Sequence, residues 1–344
     1  MKNKVIRRTL TAMAVLLLFS SAAAGALAAM PTELVPVGQT IGIDIKCDGV
    51  MVVAIGEVDT EGGVISPGTM AGLLPGDVIT SVGETKIASA DDFKTALAAA
   101  NGDTTPIQVT RGGQSIQMSL TPAKDRGGKY ELGLWLRDGM AGIGTVTFYD
   151  PKSGVFGALG HAVSDVETGA LMPLGVGSIM PATVAAARRG APGAPGELQG
   201  EFDFQTTLGT LYANTVTGIF GHIADGTSLG QGDPLPLGNV GDLELGAAKI
   251  LANISGTEIQ AFDIEISRIF SGGTDRNMMI TVTDPALLAV TGGIVQGMSG
   301  SPIVQHDKLV GAVTHVLINN PEKGYGISID SMLANAYATQ GAAA

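Results

Sequence analysis

A single cysteine, Cys47, among 344 residues leaves no intramolecular disulfide to form. The fold therefore needs no covalent staple in whatever compartment it occupies, and Cys47 reads as a small core residue. Aromatics are scarce, with nine Phe, five Tyr and one Trp, and the 20 basic residues are outnumbered by 32 acidic ones. Such a field repels a polyanion, and no basic cluster interleaved with aromatics occurs beyond Arg188-Arg189, which argues against nucleic acid as a partner. Neither His-Glu-x-x-His nor a Cys/His ligand spacing is present, so no metal or other cofactor is expected. Glycine is what the chain has in quantity, 50 residues, beside a 45% hydrophobic content. That combination describes short strands joined by tight turns, in a mostly β chain long enough for two domains.

The one long uncharged run comes first. Met1 to Arg8 is basic, and Thr9 to Ala29 carries no charge over 21 residues. Ala26-Leu27-Ala28 fits a cleavage site, so residues 1–28 read as a signal peptide or, being long enough to span a bilayer, as a membrane anchor. Either reading exports the rest of the chain, with Lys and Arg holding the N-terminus inside. Removal of the segment leaves 16 basic against 32 acidic residues, a net charge of −16.

Residues 29–44 are polar and Pro-containing, a lead-in segment or edge strand. Gly42 to Ile55 alternates and then runs apolar at Val50-Met51-Val52-Val53, as a buried strand does. Ala71-Gly72-Leu73-Leu74-Pro75-Gly76-Asp77 encodes a turn before a strand. Ser89-Ala90-Asp91-Asp92 starts a helix that Asn101-Gly102 ends. Two further strands flank a turn at Arg111-Gly112-Gly113-Gln114. Residues 45–122 together resemble a PDZ domain of the bacterial kind. That resemblance implies that an extended peptide adds to the sheet edge beside the helix, its carboxylate received by a loop near Gly49, Val50 and Met51, with Val50, Val52, Phe93 and Leu97 as pocket candidates. Residues 123–139 read as a charged connector. From residue 140 to 344, short strand-like runs separated by glycines form an all-β domain, with Arg188 to Gly196 as an exposed loop between its halves.

Gly297-Met298-Ser299-Gly300-Ser301-Pro302 reads as the G-x-S-G-x-P nucleophile loop of chymotrypsin-like peptidases. Glycines on both sides of Ser299 permit a tight backbone path that presents its hydroxyl and aims the Gly297 and Ser299 N–H groups at one point, an oxyanion hole. A serine hydroxyl needs a base. Four histidines are available. His306 lies in a polar turn, and His315 lies on a strand beside the nucleophile loop. His161 and His222 close an echo, Gly157-Ala158-Leu159-Gly160-His161 and Gly218-Ile219-Phe220-Gly221-His222, which suggests two similar barrels. His161 precedes Ser299 in the usual order and is the leading candidate.

Several motifs in one order carry a more specific likeness: Pro31-Thr32-Glu33-Leu34 with Val37-Gly38-Gln39, Leu159-Gly160-His161-Ala162, Pro195-Gly196-Glu197-Leu198, Val282-Thr283-Asp284, Gly293 through Pro302, and Gly311-Ala312-Val313-Thr314-His315. On these the chain resembles the stage IV sporulation protein B peptidases, the S55 serine peptidases. The resemblance implies an N-terminal PDZ-like α+β domain followed by a chymotrypsin-like double β-barrel. It assigns Ser299 as nucleophile, His161 as base and Asp284 as third member. Asp284 lies only 15 residues before the serine and also suits a turn before proline, so Asp165 and Asp225 stay open as alternatives. The activity implied is an exported serine endopeptidase that cleaves itself and then a membrane-bound regulator, releasing an intramembrane protease that processes a sigma-factor precursor. It would act in the space between the spore membranes. A periplasmic quality-control PDZ protease and a catalytically silent PDZ scaffold are the alternatives.

Overall fold

The apolar run around Val50 belongs to a strand much longer than the run itself. In the computed structural model, which describes residues 30–230, 232–270 and 275–340, strand β1 (Glu33–Pro36) is followed by β2 (Thr40–Ile55). Then come β3 (Val78–Val82), helix α1 (Ala90–Ala100), β4 (Thr105–Arg111) and β5 (Gln114–Leu120). The chain returns on β6 (Leu134–Tyr149), antiparallel to β2 from Leu134 opposite Ile55 to Thr145 opposite Thr40. Sixteen residues at ~3.3 Å each reach about 50 Å, enough to serve two cores.

One end of this ribbon builds the PDZ-like unit. There β3 pairs with β2 at Val50 and Met51, β4 and β5 extend the sheet, and α1 covers it, burying Val50, Val52, Ile79, Phe93, Ile107 and Val109 together. Ser89 caps α1 by accepting from Asp92 N–H, and Asn101 ends it in the left-handed region at φ 48°. Asp77, buried in the Pro-Gly-Asp turn, accepts from Leu74 N–H and from two nitrogens of Arg111.

The other end builds a barrel. Strands β7 (Val155–Ala158), β8 (Val176–Arg188), β9 (Gly209–Thr215) and β10 (Gly218–Ile223) join it. The pairings β2–β6, β6–β7, β7–β10, β10–β9, β9–β8 and β8–β2 close a ring of six strands. Ile41, Ile43, Ile45, Val146, Phe156 and Ile179 fill it. The PDZ-like unit is therefore inserted between two strands of the first barrel rather than set before it. Residues 40–44 of the expected lead-in thus belong to β2, and residues 134–139 of the expected connector run on with the start of the following segment as β6. A strand that passes from one core into another carries no turn signal at the boundary. The glycines of β6 suggest breaks, yet Gly144 is small for packing: a Cβ there would meet Leu159 Cδ2 at 2.2 Å.

A second six-stranded barrel is formed by β11 (Gly246–Ala252), β12 (Gln260–Ile269), β13 (Met278–Val282), β14 (Pro302–Gln305), β15 (Lys308–Leu317) and β16 (Asn320–Ser328), closed in the order β11-β12-β13-β16-β15-β14. Ile250, Phe262, Ile264, Ile280, Ile303 and Val313 fill it. Helix α2 (Pro285–Thr291) follows β13. The last helix, α3 (Ile329–Gln340), packs Met332, Leu333 and Ala336 back on Leu34, Phe148 and Phe220 of the first barrel.

The expected fold class holds: mostly β, with a PDZ-like α+β unit and a chymotrypsin-like double barrel. Two details differ. The loop from Arg188 to Gly196 is the tip of a hairpin from the first barrel, not a link between the barrels, and its Gly190 N–H reaches Thr291 O of the second at 2.8 Å. The Gly-x-x-Gly-His echo is not a barrel repeat either, since Gly157 and Phe220 face each other on adjacent strands of one barrel. The expected export segment lies outside the described residues, among which no helix is long and apolar enough to cross a membrane.

Candidate active site

The nucleophile loop between α2 and β14 turns sharply because Gly297 and Gly300 take φ values of 96° and 98°. Neither position tolerates a side chain easily, and a Cβ on Gly300 would lie 1.9 Å from Thr145 O. Strand β6 approaches that closely because it holds the loop. Thr145 N–H donates to Ser299 O at 2.9 Å, Thr145 Oγ1 to Gly297 O at 2.7 Å, and Thr147 Oγ1 to Gly300 O at 2.8 Å. Buried Met298 anchors the loop from below. With these carbonyls tied back, the N–H groups of Gly297 and Ser299 donate to no described residue, the condition an oxyanion hole requires.

His161 follows an unusual turn. Leu159 and Gly160 both have φ of 69°, and Gly160 N–H donates to Ala158 O at 2.9 Å, a tight three-residue turn whose central residue is strained. The His161 Nδ1 lies 2.8 Å from Ala162 O. A carbonyl only accepts, so in the neutral ring Nδ1 carries the proton and Nε2 the lone pair. Burial depresses the imidazole pKa below the ordinary histidine range, and the bond to Ala162 O offsets this in part. His315, on β15, lies with its ring centroid 4.7 Å from that of His161. The His315 side chain is exposed at the edge of the cleft, and partial desolvation, then the neighbouring His161 and Arg276, lower its imidazole pKa below the ordinary range.

Ser299, on the second barrel, and His161, on the first, line one cleft of about 600 Å³ with Thr314 and His315. The Ser299 hydroxyl donates to Thr314 O at 2.6 Å. The cleft wall is otherwise largely apolar, including Ile43, Ile143, Val163, Val295 and Val316, and among the described residues no carboxylate lines it.

Asp284 does not join them, which corrects its expected place in the site. It is the N-cap of α2, where Oδ1 accepts from Ala286 and Leu287 N–H and Oδ2 from Asp263 N–H. The Leu287 N–H, opposed by some burial and aided by Asp263, Ala286 and Lys249, holds its carboxyl below the usual range. Both oxygens are thus committed to backbone. Asp165 is buried within the loop that follows His161, and Asp225 lies in the turn after β10. Of the other histidines, His222 packs against Tyr212 with centroids 5.2 Å apart, and exposed His306 lies 3.2 Å from Glu244.

The peptide groove is also placed differently. Gly49, Val50, Met51 and Val52 lie within β2, paired with β3 on one side and, at Met51 and Val52, with β6 on the other, and the last three are fully buried. No loop or free edge exists there. Phe93 and Leu97 of α1 instead line a groove of about 840 Å³ whose other wall is Tyr130 to Leu136. Gly56 N–H donates to Gly133 O at 2.7 Å, so ladder alternation turns the N–H and C=O of Leu134 away from β2, toward α1. The signal for this wall is Leu132-Gly133-Leu134, with Gly133 at φ 65°, within residues 123–139, which the sequence presents as a connector.

A PDZ module and two barrels that share a serine–histidine cleft define the chain as a PDZ-containing serine endopeptidase. The family model for the SpoIVB peptidase S55 matches residues 128–333, and a PDZ domain model matches residues 41–121. The chain belongs to the SpoIVB peptidase S55 family. No curated protein matches it. Among solved structures, the PDZ domain of the SdrC-like protein from Listeria monocytogenes is 26% identical over 27% of this chain and 90% of that one, with a TM-score of 0.22. The active form of the Rv3671c protease from M. tuberculosis is 15% identical over 58% of this chain and 74% of that one, at 0.34. The HtrA-type protease AlgW with decapeptide is 14% identical over 59% and 54%, at 0.35.

Proposed function

We propose that this endopeptidase is an exported signalling protease that cuts itself and a membrane-associated regulator, a cut that triggers intramembrane proteolysis and sigma-factor processing in sporulation. Membership of the family supports the role, and the export segment expected at residues 1–28 supports its site of action, in the space between the spore membranes or anchored at one of them.

The observation that carries the chemistry is the shared cleft of Ser299 and His161 beside two N–H groups that donate to no described residue. On substrate binding the Ser299 hydroxyl leaves Thr314 O for His161 Nε2. The Oγ–carbon bond forms as the proton passes to Nε2, and the carbonyl electron pair moves onto the oxygen facing the Gly297 and Ser299 N–H groups. Collapse expels the amine, which takes the proton from Nε2, and water then releases the acyl group by the same steps. The Ala162 carbonyl fills the orienting role expected of Asp284. An uncharged cleft wall suits an apolar side chain beside the scissile bond. A partner's tail, or an N-terminal stretch of this chain, adds as a strand to the Leu134 edge beside α1 and controls the activity.

The test is to treat the purified chain with a fluorophosphonate and map both label and self-cleavage products by mass spectrometry. Label on the Ser299 peptide, and loss of self-cleavage in Ser299→Ala, are expected. Label on another serine, or unchanged self-cleavage in that variant, refutes the assignment.

A further inference from the structure

The loop that carries His161 is held at two points. Near its start, Asn214 of β9 accepts from Val163 N–H at 2.9 Å and donates to the carbonyls of Val163 and Met172, each at 2.8 Å. Farther on, Asp165, 1% exposed, organises the turn: its Oδ1 accepts from Glu167 N–H, Thr168 N–H and the Thr168 hydroxyl. Its Oδ2 is in ion-pair contact with Arg137 Nη1 but accepts no hydrogen bond from any described residue, whereas Arg137 Nη2 donates to Glu167 Oε2 at 2.7 Å. Burial pushes the Asp165 carboxyl up, but Thr168, Arg137 and the Glu167 N–H together hold it below the usual range, so the pair is ionised.

A buried ion pair adds little net stability over an apolar pair of similar size. What it supplies is placement, because one guanidinium holds Asp165 by charge and Glu167, two residues on, by a hydrogen bond, and so ties the turn to β6. Arg137 stands at a particular place on β6. Leu136 beside it lines the peptide groove, and Met140, three residues on, lines the cleft. The β2–β6 register shifts between Arg137 and Gly139, a bulge of the kind that re-aims a side chain.

We propose that Arg137 is a positioning residue for His161: through Asp165 it fixes the histidine loop to the strand that walls both the groove and the cleft. The inference rests on His161 being the base, and His161→Ala is the control that separates the two ideas. The experiment compares Arg137→Ala, Arg137→Lys, and the double variant Arg137→Ala/Asp165→Asn, measuring kcat, KM, the rate of fluorophosphonate labelling of Ser299, and thermal melting. In Arg137→Ala, kcat and labelling fall together by roughly 100-fold, the scale of an ångström's misplacement of a catalytic group, with KM little changed. Arg137→Lys keeps the charge without the fork and recovers part of the loss. The double variant removes the unpaired buried carboxylate and so regains thermal stability, even if Arg137→Ala alone folds poorly, yet its kcat stays low. If kcat returns to the wild-type value along with stability in the double variant, or never falls in folded Arg137→Ala, the pair is only structural and the proposal is overturned. If His161→Ala itself turns over normally, the base has been misassigned.

Discussion

The two barrels hold their reactive groups in unlike ways. In the second, the carbonyls of Gly297, Ser299 and Gly300 are all tied to β6 of the first barrel, so the nucleophile loop has these carbonyls fixed and its Gly297 and Ser299 N–H groups left for a substrate. In the first, His161 hangs on a strained turn, one bond from its ring to the next residue's carbonyl, and the side chains of Asn214 and Asp165. The oxyanion half is preorganised by backbone, whereas the base half depends on side chains that other contacts can move. Regulation of this enzyme is therefore to be sought on the histidine side.

The largest effect should come from the groups that act as one unit. Ser299→Ala and His161→Ala should each lower kcat/KM by about 10⁴- to 10⁶-fold and the double variant scarcely further, with melting temperatures near wild type. Additive losses in the double variant would mean that the two do not act together. Next comes the backbone of the nucleophile half. Thr145→Val removes the hydroxyl that ties down Gly297 O and should cost about tenfold in kcat, the worth of one hydrogen bond of ~1.4 kcal/mol. An unaltered kcat would show that the loop holds its shape without β6.

The pH profile addresses the base half. The base must be neutral, and burial places the His161 pKa below the ordinary value. Activity should therefore be full near pH 7 and fall on acidification with a midpoint under the unperturbed ~6.5. An acid limb centred above that value would place a negative charge beside the imidazole, contrary to the carboxylate-free cleft wall. The smallest effect belongs to Asp284. Asp284→Asn still caps α2 and should leave turnover within about threefold, while Asp284→Ala should cost ~1 kcal/mol of stability as a lost N-cap. A drop of ~10⁴-fold in Asp284→Asn, the mark of a missing orienting carboxylate, would restore the triad expected from family likeness.

What was legible in the sequence was local. Gly297 through Pro302 is readable because a tight turn around a reactive serine has few backbone solutions, and Ser89 through Asn101 because caps act within a few residues. The strand ribbon of β2 and β6 was not legible, since its partners lie 79 residues apart at one end and 105 at the other and its glycines answer to neighbours in space. The same reason hid the groove wall at Leu132 to Leu134 and the hydroxyl anchors Thr145 and Thr147, which read as ordinary strand residues.

By itself, then, the sequence determined the nucleophile's turn, the histidine motif, the helix beside the groove, the family and the mostly β character, because each rests on contacts between residues close in the chain. Only the tertiary structure decided that the PDZ-like unit interrupts the first barrel, that Asp284 caps a helix instead of facing His161, and that β6 joins groove to cleft. Those outcomes depend on which strands pair and which side chains share a buried volume, and pairing over long separations is set by the packing of the whole core.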